Sequence, residues 1–361
     1  MTWIIRIGLL TAYAAIGLAQ LSPEDNKRLN GIMERRSRGE DISAEDRQFA
    51  QAAMAKRNQA NAARMAEYAK ANPARESIGV APLTEIREYK GEQGGLYPGG
   101  GNTPPEAHRK AGMTAARAIA PLDAEGRKSA DGKIVLLSIG MSNTTMEYQA
   151  FMKLAAAETG LHPRLAIVDG AQGGQTGQIT ANPDSNFWKV VATRLADAGV
   201  TAKQVQAIWF KQANAGPTRE FPAEAKKLEA DIVKTLQNVK AKYPNTRVAY
   251  LSNRIYAGFA SSPLNPEPHA YETAFSVKWA IARQIAGDAE LSLDRVPWIA
   301  WGPYIWTDGV KGRADGLKFT REDVGPDGTH PSDSGRAKVA RLLLDFLIAE
   351  PTARPWFLTP E

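Results

Sequence analysis

Three side chains in this sequence have the types and spacing to share one reaction. Ser142 follows a short apolar run, and Asp327 precedes His330 by three residues within Pro326-Asp327-Gly328-Thr329-His330-Pro331-Ser332. A serine hydroxyl attacks well only when a base within hydrogen-bond reach takes its proton and a third group orients that base. A carboxylate three residues before a histidine can fold back onto Nδ1–H within one loop. That fixes the tautomer and leaves Nε2 free for the serine proton. The tetrahedral intermediate of acyl transfer also needs donors for its oxyanion. The backbone N–H of Ser142 opens a helix and has the helix dipole behind it. Gly174 lets a second backbone N–H approach without a side chain, and Asn214 offers an amide N–H. Together these groups make an ester-cleaving constellation that works through an acyl-enzyme.

The elements that must position them begin at residue 133, where short apolar runs alternate with helical stretches. The runs 134–137, 165–168, 205–210, 248–251 and 296–301 read as buried strands. Helical patterns cover about 144–158, 187–197, 222–242, 271–287 and 333–349. Strands alternating with helices imply right-handed crossovers and a parallel sheet covered on both faces. The expected fold is α/β, a flavodoxin-like three-layer sandwich with a five-stranded parallel sheet and an N-terminal helical extension. Ligands bind outside the carboxyl ends of such strands. The blocks around Ser142, Gly174 and Asn214 follow the first, second and third strands, and the Asp327–His330 block precedes the last helix. A lone serine, Asp-Gly or histidine is ordinarily a cap, a turn or a packing residue; what distinguishes these is their order and placement.

These blocks resemble those of the SGNH hydrolases, the GDSL-like esterase and lipase superfamily. That family carries Gly-x-Ser after the first strand, Gly after the second, Asn after the third and Asp-x-x-His near the end. The resemblance implies Ser142 as nucleophile, Asp327 and His330 as the base pair, and Ser142, Gly174 and Asn214 as the oxyanion hole. It covers about residues 133 to 349. Two blocks depart from the family pattern. Gly140-Met141-Ser142 stands where Gly-Asp-Ser is usual, and Gln212-Ala213-Asn214-Ala215 keeps the Asn of Gly-x-Asn-Asp without its neighbours.

The rest of the chain bounds the reading. Its 361 residues contain no cysteine, which excludes disulfides, a cysteine nucleophile and thiolate-held metals. Forty-five Lys and Arg against 39 Asp and Glu leave +6, a mild basic bias without a nucleic-acid signature. Residues 1–19 read as a secretory signal peptide cleaved after Ala19, which implies a secreted or periplasmic protein with no membrane span after cleavage. Residues 20–75 read as a polar helical arm with helices at 23–37 and 44–71 and too few apolar positions for a core of their own. Residues 76–132 read as a Gly-rich loop, able to line the site, and a connecting helix. Residues 133–349 are the SGNH-like domain, and 350–361 a C-terminal tail. The Gly-rich turn at 170–177 lacks the G-x-G-x-x-G order of a dinucleotide site. His108 in a surface helix, His162 before a proline and His269 in a Pro-rich loop lack partners at ligand spacing, so neither a metal nor a cofactor is expected. Tyr304 and Trp306 follow Gly302-Pro303 and should sit on a loop near the site, where aromatic faces could stack on a sugar or an acyl group. The expected partner is a small-molecule or polysaccharide ester, preferably an acetylated sugar. A sugar O-acyltransferase on the same fold and a non-catalytic carbohydrate-binding protein are the alternatives.

Overall fold

The computed structural model describes residues 21–37 and 40–359; the expected signal segment lies outside the described residues. The chain divides into two compact units, one ending at Asn72 and the other beginning at Pro73.

The first unit is a pair of helices, α1 (Pro23–Ser37) and α2 (Ala44–Ala71). Each begins where a serine hydroxyl can take up a free backbone N–H of the first turn. Ser22 accepts from Asp25 at 3.0 Å and Ser43 from Asp46 at 3.1 Å. Leu29 and Ile32 of α1 meet Ala50 and Ala53 of α2, with Ile42 from the connection, in a small buried cluster. Arg28 and Arg35 both reach Asp46, at 2.9 and 2.7 Å, and tie the helices together. The two helices match the spans read from the sequence. They do gather a core, but a thin one made partly of alanine.

In the second unit, α3 (Glu106–Arg117) leads into β1 (Ile134–Gly140), α4 (Ser142–Ala157) and β2 (Leu165–Asp169). Then come α5 (Gly177–Ala181), α6 (Asn186–Asp197), β3 (Val205–Lys211), α7 (Ala223–Lys242) and β4 (Val248–Ser252). The chain ends with α8 (His269–Ile285), β5 (Trp298–Trp301), α9 (Asp333–Ala349) and α10 (Arg354–Phe357). The five strands form one sheet in the order β2-β1-β3-β4-β5, every pairing parallel. The fold is therefore α/β with helices flanking a five-stranded parallel sheet, as expected from the alternation. β1 and β3 are buried at every position, which is why they read as largely apolar runs rather than alternating ones.

Residues outside the alternating region join the same core. Trp301 Nε1 donates to the Leu96 carbonyl at 2.7 Å, and Trp356 and Phe357 are fully buried. The Lys278 ammonium donates to the carbonyls of Gln93 and Gly94, so the Gly-rich segment is fastened onto α8. His108 is buried against Trp298, with Nε2 at 2.9 Å from the Ile299 carbonyl, because α3 lies on the sheet rather than at the surface. His269 opens α8 instead of lying in a loop. Among the described residues, no helix is long and apolar enough to cross a membrane.

Candidate active site

The turn from β1 into α4 is tight enough to dictate its residues. A Cβ at Gly140 would lie 2.2 Å from the Lys211 carbonyl and 2.4 Å from Thr144 Oγ1, so only glycine fits. Thr144 Oγ1 donates to that carbonyl at 2.8 Å and accepts from the Met141 N–H at 3.3 Å. Met141 occupies the N-cap and Ser142 the first helical position, two residues earlier than the sequence pattern suggested. The Ser142 N–H is thus one of the helix's unpaired first-turn donors. Beneath this turn, Lys211 of β3 and Glu147 of α4 form a fully buried ion pair.

The histidine comes from the other end of the chain. Ser142 Oγ and His330 Nε2 are 2.8 Å apart, and His330 Nδ1 is 2.5 Å from Asp327 Oδ2. The other oxygen, Asp327 Oδ1, accepts from the backbone N–H groups of Thr329 and His330, each at 3.1 Å. Gly328 has φ +65°, and a Cβ there would strike the Phe259 carbonyl at 1.7 Å, so the turn that folds Asp327 back onto His330 requires glycine. Burial pushes the Asp327 carboxyl up, but His330 and the two amides outweigh it and hold it down at about 2. Across the neutral pH range this carboxylate is ionised and oriented toward Nδ1. The connectivity is that of a relay able to deprotonate a serine hydroxyl.

Ser142 and His330 open onto a cleft of about 350 Å³ beyond the carboxyl ends of the strands, also lined by Gly174 and Asn214. Asn214 is held firmly. Its Nδ2 donates to Asp231 Oδ2 at 2.8 Å, its Oδ1 accepts from the Gln178 N–H at 3.3 Å, and its carbonyl accepts from Asn265 at 3.1 Å. One Nδ2 hydrogen remains beyond the bond to Asp231. Gly174 is exposed at the rim with φ +75° and open space where a Cβ would sit. Its glycine serves the backbone conformation rather than close approach.

Tyr304 and Trp306 are a correction. Both are buried, at 5% and 0% exposure, and neither lines the cleft. Tyr304 Oη accepts from the Leu83 N–H at 3.1 Å, and Trp306 Nε1 donates to Glu267 at 2.7 Å. After Gly302-Pro303 the chain turns inward, and Trp306 packs on Tyr271 with ring centroids 4.6 Å apart. The Gly-rich segment near residue 95 does not line the cleft either. Sequence reading passed over Asp231, Leu264 and Arg254. The last follows Ser252-Asn253 at the end of β4, and that position is the signal that could have found it.

No family model and no curated protein matches the chain. It is similar to protein YXIM of Bacillus subtilis, at 14% identity and TM-score 0.34 over 61% of this chain, spanning 58% of that protein's length. It is also similar to the periplasmic domain of a lipopolysaccharide acetyltransferase from Salmonella ser. Paratyphi A, at 11% identity and TM-score 0.35, covering 67% of this chain and 95% of that one.

Proposed function

We propose that the protein is a serine ester hydrolase of the SGNH type, acting on carboxylic esters through an acyl-enzyme. The observation that carries this reading is the unbroken Ser142–His330–Asp327 chain, with contacts of 2.8 and 2.5 Å, at the edge of the sheet where ligands bind. His330 takes the Ser142 proton as the oxygen attacks the ester carbonyl. Asp327 holds the imidazole in the required tautomer and stabilises the imidazolium. The oxyanion is received by the Ser142 N–H, by the Gly174 N–H and by the Asn214 amide hydrogen not used by Asp231. His330 then returns the proton to the departing alcohol, and water or an acceptor hydroxyl takes the acyl group.

The acceptor decides between hydrolysis and transfer to a sugar; product analysis with and without a sugar hydroxyl separates the two. An acetylated carbohydrate remains the preferred substrate class, and an exported protein the preferred setting. The direct test is turnover of a chromogenic acetyl ester by the wild type and by Ser142→Ala. The variant should lose on the order of a millionfold in turnover while keeping its circular dichroism spectrum. Equal rates would remove the mechanism.

A further inference from the structure

A buried cation lines the same cleft as Ser142 and, among the described residues, has no strong partner. Arg254 is 1% exposed and lines the cleft with Ser142 and His330. Among the described residues, its Nη1 reaches only the thioether sulfur of Met141, at 3.8 Å, and its Nη2 only the Thr329 carbonyl, at 3.5 Å. Its Nε has no hydrogen-bond partner among them. A thioether is a weak acceptor and 3.5 Å is long for a charged donor, so the guanidinium is far short of the bonds it can make.

The carboxylates whose charge it feels are Glu147, Glu267 and Asp327, and all are committed elsewhere. Glu147 is paired with Lys211. Glu267 accepts from the N–H groups of Ala257 and Tyr271 and from Trp306. Asp327 is engaged with His330 and two amides. Buried charges in native structures are ordinarily paired, and guanidinium groups match carboxylates best. The side chain against Nη1 is Met141, which is unbranched, flexible and, like Arg254, part of the cleft wall. It occupies the position where the resembling family carries an aspartate.

We propose that Arg254 reads a carboxylate on the substrate, placed beside the ester that Ser142 attacks, with Met141 swinging aside to admit it. Within the ester class proposed above, the preferred substrate then carries a carboxylate beside the ester. This rests on the ester-hydrolase reading for its substrate, but the site can be tested apart from turnover.

The experiment measures binding to Ser142→Ala, which cannot turn substrate over. The probes are the monomethyl esters of succinate, glutarate and adipate, each against the corresponding methyl ester amide, so that several spacings between ester and carboxylate are sampled. At one spacing or more, the acid should bind at least about tenfold tighter than the neutral amide, as expected of a charged pair in a desolvated site. Adding Met141→Asp, which places an internal carboxylate against the guanidinium, should abolish that preference, whereas Met141→Asn should retain it. Arg254→Met should lose it and Arg254→Lys keep part of it. Equal binding of acid and amide at all spacings, or a preference that survives Met141→Asp in a folded protein, overturns the proposal. Wild-type turnover of the neutral chromogenic acetate reports the hydrolase reading separately. Preference without turnover leaves the carboxylate site standing, and turnover without preference removes only the role of Arg254.

Discussion

Two helices of this chain show how differently it can stabilise the same backbone conformation. α2 runs for 28 residues and buries only Ala50 and Ala53. α8 runs for 17 and buries every residue from Ala270 to Ile281. α2 is rich in alanine and other strong helix formers, so propensity sustains it where packing does not. α8 contains Thr273, Phe275, Val277 and Trp279, which are weaker formers, and is held by the sheet and its neighbours. The residues proposed to carry the chemistry belong to the second regime. A nucleophile must be placed to within a fraction of an ångström, and only an over-determined core does that.

If that contrast is right, substitutions should grade steeply from the sheet edge to the first unit. The largest effect is the loss of turnover in Ser142→Ala described above. Next, Asn214→Ala should lower turnover about a hundred- to a thousandfold with little change in substrate binding, since the bond strengthens only in the transition state. Weakened binding with normal turnover would make Asn214 a mere substrate contact. Phe275 lies among Tyr89, Phe221, Tyr271 and Trp279. Phe275→Ala should cost about 3–5 kcal/mol in urea unfolding. Ala53→Gly in α2 should cost only about 1 kcal/mol, the difference in helix propensity. Comparable losses at the two sites would break the contrast.

A pH experiment sharpens it further. The Asp327 carboxyl titrates at about 2 in the folded protein against 3.8 in the unfolded chain. Its stabilisation is therefore fully present above pH 3.8 and is lost as pH falls through 2. The gap in melting temperature between wild type and Asp327→Asn should shrink as pH falls from 3.8 through 2; a gap that is unchanged across that range would place the sensitive group elsewhere. The smallest effect is expected from deletion. Arg75 and Glu76 are bonded to Gly258 and Val310 of the second unit, so the cut belongs at Pro73. A chain beginning there should turn over a small acetyl ester at the wild-type rate, and a folded but inactive product would give the first unit a part in shaping the site.

Much of the fold was legible because burial on both faces of β1 and β3 favours apolar residues at most positions, and such runs announce themselves. The Asp327–His330 pair was legible because its bond closes within three residues. What escaped has partners remote in sequence. Nothing near Arg254 signals that Met141, 113 residues earlier, will lie over it. Nothing near Asn214 signals that Asp231 will orient its amide from α7. Tyr304 and Trp306 misled for a related reason. Gly302-Pro303 marks a turn, but only Leu83 and Glu267 reveal that the turn runs inward.

The proposed relay is unevenly built. Its His330–Asp327 contact closes a loop of three residues, whereas its Ser142–His330 contact joins groups 188 positions apart. The first resists any opening that leaves one short turn intact; the second depends on the whole sheet edge staying assembled. As the protein is warmed or strained, catalytic competence should therefore fail before the imidazole loses its carboxylate. Proton magnetic resonance would register this as a downfield Nδ1–H signal persisting after activity has gone. Inactivation and unfolding would then be two events rather than one.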